Sequence, residues 1–173
     1  MSRRPIVAGI RTREDDPEPE GELRLDDLRE ALACWTSGVG VLAVRDDGDV
    51  VAMTVSAFAS LSLRPPLVLA CVDEQAALLP SLEEVGRFTL SILAEDQRRL
   101  ALSYADRFPV DPALTAAHVD PVLPGALAAF VCTVAEMHPG GDHRIVVGRV
   151  ERVEIGREAP PLVHHRREYR TLA

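Results

Sequence analysis

The chain has 173 residues and a formal net charge of −8, and all 19 of its basic residues are arginines. This acidity argues against nucleic acid and anionic membranes as partners, because both require a basic face. A chain without lysine cannot form a Schiff base or use a lysine nucleophile. It also lacks an apolar run of 18 residues and a hydrophobic leader, so we expect a cytoplasmic protein with one main domain.

The cysteines Cys34, Cys71 and Cys132 lie far apart in apolar contexts, without the spacing of a metal site or a disulfide framework. We therefore expect them to be small buried side chains and predict no bound metal.

Residues 1–22 are charged and rich in proline, which predicts a flexible arm, and the domain is expected to span residues 23–173. The segment LDDLREALACWTSG then predicts a short amphipathic helix, with Asp26 or Asp27 as the N-cap and Gly38 beyond its end. Its apolar stripe, which we expect to face the core, consists of Leu25, Leu28, Leu32 and Trp35.

Two β-rich runs follow, Val39–Arg45 and Val50–Ser60, and the DDGD between them predicts a hairpin turn. If one strand continues from Val50 to Pro66, alternate side chains lie on opposite faces, with the hydroxyl side chains on one face and the aliphatic ones on the other. One face would then be core, and the other would be an uncharged hydroxyl face suited to a flat polar ligand. An exposed strand rich in serine and threonine explains the same pattern. The hydroxyl face comprises Thr54, Ser56, Phe58, Ser60 and Ser62.

Further along, LVLACV predicts a buried strand, and the next helix should be interrupted by Pro80 before it ends at Gly86. RFTLSIL predicts another strand, and EDQRRLALSYADRF predicts a helix with Leu100 and Tyr104 directed inward. Two long strands, Ala126–Met137 and His143–Ile155, are joined by the hairpin signal HPGGD.

At least five β-runs with short helices between them predict a mainly β fold, an antiparallel barrel with peripheral helices. No glycine-rich phosphate loop is present, so neither a Rossmann nor a P-loop nucleotide site is supported.

The ordered segments WTSGVGVLAV, VVAMTVSAFASLSLRPPLVLACV, GRFTLSIL, AEDQRRLA, DRF, GGDHRIVVGRVERVE and PLVHHRREYR resemble the flavin reductase-like family, from about Leu23 to the C-terminus. The resemblance implies an FMN-binding split barrel and an NAD(P)H:flavin oxidoreductase, with FMN or FAD as flavin and NADH or NADPH as reductant. It also implies a homodimer that supplies reduced flavin to a separate monooxygenase.

The resemblance also implies roles for individual residues. His143 of the GDH motif would lie beside the flavin, orient the nicotinamide and act as the catalytic residue; without the resemblance it would be a solvated turn residue. Tyr169 and Arg170 would cover the nicotinamide side or reach the dimer partner, unless this end of the chain is frayed. The expected flavin-binding residues are Thr54, Val55, Ser56, Ala57, Ser60, Leu61, Asp73, Arg87, Phe88, Phe108 and Tyr169.

Some of these assignments have alternatives. Phe88 and Phe108 could belong to the core, and Arg87 and Arg107 could be solvated. The turn Asp73–Ala76 is acidic where relatives are rich in asparagine and serine, and its carboxylates would repel a flavin phosphate. A flavin- or haem-binding split barrel without turnover is the alternative function. An oxidase of the pyridoxamine-phosphate type is disfavoured by the acidic charge.

Overall fold

The computed structural model describes residues 23–105 and 120–172. The expected N-terminal arm, and with it the division between residues 22 and 23, stays a prediction, because residues 1–22 lie outside this range. Arg107 and Phe108 also lie outside the described residues, so the roles expected of them are untested.

The described residues form short helices between antiparallel strands, mostly in the predicted order. In chain order the elements are α1 (Leu25–Ala33), β1 (Ser37–Gly38), β2 (Gly40–Asp46), β3 (Asp49–Val55), β4 (Phe58–Leu63), β5 (Pro66–Asp73), α2 (Leu78–Val85), β6 (Arg87–Ile92), a 3-10 turn (Glu95–Gln97), α3 (Arg98–Ser103), β7 (Ala128–Gly140), β8 (His143–Ile155), β9 (Val163–His165) and β10 (Glu168–Arg170).

Seven strands make one antiparallel sheet in the order β3-β2-β6-β7-β8-β5-β4, and a small second sheet has the order β1-β9-β10. The strands β3 and β4 follow each other in the chain but occupy opposite edges of the large sheet. Since β3 also contacts β5, the sheet curls until its two edges approach each other. This topology confirms the mainly β class and the barrel with peripheral helices.

Both predicted hairpins are confirmed. Between β2 and β3, Asp47 and Gly48 have φ angles of 44° and 95°, as a type I′ turn requires. Between β7 and β8, Gly141 has a φ of 77°. These turns set the registers that pair Asp46 with Asp49 and Gly140 with His143.

The barrel interior is an apolar cluster to which β2, β5, β6, β8 and α2 contribute. Phe88 is 2% exposed at its centre. Its ring lies against Gly148 of β8, where an added Cβ would come within 2.4 Å of Cζ. The helix α2 covers one side with Leu78, Leu79 and Leu82. A second cluster, on the other side of β2, contains the predicted inward residues Leu100 and Tyr104.

The prediction that the first helix packs on the core was wrong. The helix begins at Leu25, so Asp26 and Asp27 lie in its first turn, and it ends at Ala33, well before Gly38. None of its residues is buried, and Trp35 is 77% exposed. The apolar stripe exists, but no described residue of the chain covers it. The adjacent Cys34 is exposed as well, contrary to expectation.

The predicted interruption at Pro80 was also wrong. Pro80 is the third residue of an unbroken α2, in the first turn, where a missing N–H breaks no intrahelical hydrogen bond. The end of this helix is as predicted, because Gly86 adopts the left-handed conformation with a φ of 65°. Among the described residues, no helix is long and apolar enough to cross a membrane.

The run Val50–Ser60 is two strands rather than one. β3 ends at Val55, and β4 begins at Phe58 on the opposite edge of the sheet. On β4 the residues expected in the core are exposed, and Leu63 is 90% exposed. The alternation of side chains therefore does not give one continuous core face, because the chain crosses to the opposite edge of the sheet after Val55.

Candidate functional site

A pocket of about 260 Å³ opens beside the second half of β3. Three pieces of chain form its wall: β3 itself, the turn between β5 and α2, and the residues that follow α3. Two of the predicted flavin-binding residues, Thr54 and Asp73, line it. The full lining is Val51, Ala52, Met53, Thr54, Asp73, Gln75, Ala76, Ala77, Leu78, Tyr104 and Ala105.

Thr54 holds β3 against the end of α3. Its hydroxyl donates a hydrogen bond of 2.7 Å to the carbonyl oxygen of Ala101. Its backbone N–H donates one of 2.9 Å to the carbonyl of Tyr104. Thr54 therefore builds the wall of the pocket, and its hydroxyl keeps only acceptor capacity for a ligand.

The break between β3 and β4 is an exposed stretch of the predicted flavin-binding segment. Ser56 and Ala57 are exposed and belong to neither strand. Of their backbone groups, the Ala57 carbonyl accepts the N–H of Cys71 at 2.8 Å. A break with short side chains presents backbone groups that a flat polar ligand can reach edge-on.

The other residues of this segment differ in burial. Val55 is buried and serves the core. Ser60 and Leu61 are exposed on β4, where the register shifts between Ser60 and Ser62. The shift marks a bulge on an edge strand.

His143 lies opposite Asp73 in the pairing of β8 with β5, so the predicted catalytic residue is next to a residue of the pocket. Its Nδ1 is 2.7 Å from Oδ1 of Asp142. This hydrogen bond lowers the pKa of the Asp142 carboxyl. The carbonyl of Asp142 accepts the N–H of Glu74 at 3.0 Å, which joins the β7–β8 turn to the turn after β5.

The acidic turn after β5 is internally compensated. Oδ1 of Asp73 accepts the N–H of Gln75 at 2.7 Å. Oε1 of Glu74 lies 3.1 Å from Nε of Arg144. No described side chain caps the start of α2, so the positive end of its helix dipole lies beside the pocket, although the Leu79 N–H is bonded to the Ala76 carbonyl and Pro80 has no N–H. The turn should therefore repel a phosphate less than its sequence suggests.

A second pocket, of about 460 Å³, adjoins the first and shares Gln75, Ala76 and Ala77 with it. Its other lining residues are Glu74, Leu79, Pro80, Glu83 and Arg144. Among the described residues that line the two pockets, Arg144 alone carries a positive charge.

Arg87 and Phe88 do not line either pocket. Arg87 donates two hydrogen bonds to Asp120, of 2.9 Å and 3.3 Å. These bonds lower the pKa of Asp120, against the opposing effect of burial, and raise that of Arg87. Phe88 is enclosed in the barrel interior, so the prediction that it contacts flavin is corrected: it is a core residue.

Tyr169 lies on β10, apart from the two pockets, in the small sheet with β1 and β9. Its ring meets that of His164 edge-on, with the centroids 5.9 Å apart. Burial raises the pKa of Tyr169. This end of the chain is therefore paired rather than frayed, and within one chain Tyr169 does not join the pocket.

Two contributors to the site were missed in the sequence. The interpretation of Tyr104 as a core residue is correct, but the same residue also lines the pocket and accepts the N–H of Thr54. Arg144 follows the predicted catalytic histidine directly, and that adjacency was the available signal.

Comparison with known proteins places these features in a family. Residues 32–173 match the family model described as a flavin reductase like domain. The chain is 49% identical over 145 residues to the reductase component of 4-hydroxyphenylacetate 3-monooxygenase from Thermus thermophilus, covering 84% of this chain and 95% of that protein.

Two solved structures extend the comparison. One is BorF, the flavin reductase component of a bacterial two-component tryptophan halogenase, with a TM-score of 0.79, 38% identity, and coverage of 86% of this chain and 98% of that one. The other is an NADH:FAD oxidoreductase of Streptomyces globisporus in complex with NAD and FAD fragments, with a TM-score of 0.79, 29% identity, and coverage of 88% and 98%. The chain therefore belongs to the flavin reductase-like family and has its split-barrel fold.

Proposed function

We propose that this protein is an NAD(P)H-dependent flavin reductase that supplies reduced flavin to a separate monooxygenase. The family match over residues 32–173 carries the proposal, and relatives named as reductase components support the role of the partner. FMN or FAD accepts hydride from the reduced nicotinamide, and the hydride chemistry belongs to these two molecules. The protein's task is to bind and orient them.

The flavin is proposed to lie across the break between β3 and β4, with its phosphate toward the turn after β5. Short side chains at Ser56 and Ala57 allow a flat ring to approach the backbone. The N-terminal end of α2 attracts a phosphate placed in the pocket that Ala76 and Ala77 line. We place Thr54 and Asp73 in the wall of this site and Ser60 and Leu61 at its open side.

We propose that the protein acts as a homodimer, because the site that the described residues form is open. The pocket of about 260 Å³ is below the usual range for ligand pockets, roughly 300–1,000 Å³. Large apolar side chains are also exposed in the single chain. These include Leu32, Trp35, Leu61, Leu63 and Ile155. Such exposure is typical of surfaces that another protein covers.

His143 is proposed to position the nicotinamide beside the flavin. It lies at the start of β8, opposite Asp73, and is only half-buried, so a second ligand can reach its ring. Hydride transfer requires no general base, so the imidazole serves by contact and hydrogen bonding.

The decisive experiment follows the oxidation of NADH and NADPH with and without added FMN, FAD or riboflavin. A reductase oxidises the nucleotide only when a flavin is present. Protein that binds flavin but leaves both nucleotides untouched would support the alternative of a binder without turnover and refute the proposed activity.

His143→Ala is expected to lower kcat/KM for the nucleotide by about tenfold while flavin affinity stays nearly constant, because the ring contacts nicotinamide. His138→Ala is the matched control, since His138 lies on the same hairpin and bonds to Glu136 instead. Steady-state kinetics identical to wild type would remove His143 from the mechanism.

Ser56→Glu is expected to weaken flavin binding by more than about tenfold, because it places bulk and negative charge at the break. Flavin fluorescence titration measures the effect. Gly38→Glu adds the same charge where a Cβ meets nothing within 4 Å, and should bind flavin normally. Normal titration of the Ser56 variant would refute the proposed flavin position.

A further inference from the structure

We propose that Arg144 binds the phosphate of the flavin and that Glu74 competes with the phosphate for the same guanidinium. This inference deepens the proposed function and rests on it. It makes Arg144 a binding residue for the phosphate, and it makes Glu74 the residue that limits how tightly flavin is held.

A bound phosphate requires a positively charged partner. An arginine is the usual partner of a phosphate, because its planar fork donates two parallel hydrogen bonds. Arg87 is committed to Asp120 away from the pockets. Arg144 is the single cation among the described residues that border the two pockets.

Arg144 lines the pocket of about 460 Å³ together with Gln75, Ala76 and Ala77, which also line the pocket beside β3. Arg144 pairs with Val72 and His143 pairs with Asp73, so both lie at the end of β8 that adjoins the turn after β5. The first turn of α2 lines the same pocket through Leu79 and Pro80 and adds the positive end of the helix dipole.

In the contact between Arg144 and Glu74, the atoms Nε and Oε1 are 3.1 Å apart. However, Nε is inaccessible to water and makes no hydrogen bond to any described residue, since its N–H is not aligned with an acceptor. The side chain of Glu74 is 46% exposed. Such a contact contributes little free energy, because both side chains are more than a third exposed. A phosphate that reaches the terminal nitrogens of the guanidinium can therefore compete with it.

This exchange gives the acidic turn a function. When no phosphate is present, Glu74 neutralises Arg144 and keeps it over the turn. A bound phosphate must displace the carboxylate, so part of the binding free energy is lost to the competition. The result is a weaker hold on flavin, which suits a reductase whose product leaves for another protein.

The test compares FMN with riboflavin, which has the same ring and ribityl chain but no phosphate. The full-length protein is titrated with each flavin and the dissociation constants are measured. We expect Arg144→Gln to weaken FMN binding roughly tenfold and to change riboflavin binding by less than about twofold. Arg144→Lys keeps the charge and should recover part of the loss. Arg149→Gln, the same change elsewhere on β8, should leave both constants unaltered.

Glu74→Gln should change FMN affinity in the direction opposite to Arg144→Gln. Removing the competing carboxylate should tighten FMN binding about threefold or more and leave riboflavin binding unaltered. If Arg144→Gln weakens both flavins equally, or neither, the phosphate assignment is overturned. NADH oxidation with riboflavin tests the reductase activity separately, because that substrate makes no use of Arg144. If the protein reduces riboflavin but the Arg144 variants bind FMN with the same dissociation constant as wild type, this inference is overturned and the proposed function stands.

Discussion

Arg87 and Arg144 each lie beside a carboxylate, but the two contacts differ in geometry, burial and neighbours. Arg87 makes two aligned hydrogen bonds to Asp120, which is 14% exposed and also accepts one from Arg152 at 2.9 Å. Arg144 approaches Glu74 through one atom, without a hydrogen bond, beside two pockets. The comparison teaches that a fully bonded, nearly buried carboxylate stabilises the fold, whereas an incompletely bonded arginine beside a pocket remains available for a ligand.

The largest expected effect comes from breaking the first contact. Arg87→Gln should lower the free energy of unfolding by about 1.5 kcal/mol, because it leaves a nearly buried carboxylate with one arginine instead of two. FMN affinity should not change. Urea unfolding and flavin titration of the same preparation measure the two quantities. Weaker FMN binding with unchanged stability would instead support the sequence-based assignment of Arg87 to the flavin site.

Asp120→Asn sharpens the comparison through its pH dependence. The arginine hydrogen bonds hold the pKa of Asp120 below its ordinary 3.8, so its ionised form stabilises the folded state. That contribution is complete well above pH 3.8 and is lost as pH falls through the lowered pKa of the folded protein. Wild type should therefore exceed the variant by about 1 kcal/mol at pH 7. The difference should start to shrink near pH 3.8 and vanish below the lowered pKa of the folded protein. A difference that persisted there would contradict the assignment.

The smallest expected effect belongs to the second contact. Glu74→Gln should change the free energy of unfolding by less than about 0.5 kcal/mol, because an exposed and poorly aligned ion pair contributes little. Thermal unfolding at low and at moderate salt measures it. A loss as large as that of Arg87→Gln would make both contacts structural and erase the distinction between them.

The hairpins and the fold class were predictable because their signals are local. Asp47 and Gly48 can adopt positive φ together, and this conformation alone selects the turn and the register of its strands. The same holds for the turn at Gly141. Several short strands joined by such turns left few alternatives to an antiparallel barrel.

The two helices show where periodicity fails. α1 and α2 both present an apolar stripe, but α2 buries Leu78 and Leu82, whereas α1 buries no residue. Periodicity reports which side chains share a face and does not report what covers that face. Trp35 was assigned to the core for this reason, although in a single chain it faces solvent.

The candidate site was predictable only in part, because its neighbours are distant in sequence. The segment around Thr54 and the residue His143 were identified separately, and the pairing of β5 with β8 is what brings Asp73 beside His143. The role of Arg144 depends on the same pairing, since Glu74 is 70 residues away from it along the chain. No local pattern contains that information.

The close approach of Phe88 to Gly148 has a consequence for catalysis. A slip of β8 by one position would place Val147 or Arg149 under the aromatic ring, where even a methyl group has no room. The contact therefore fixes the register of β8 in the sheet. Because His143 lies on the same strand, the missing side chain of Gly148 also determines where the imidazole lies.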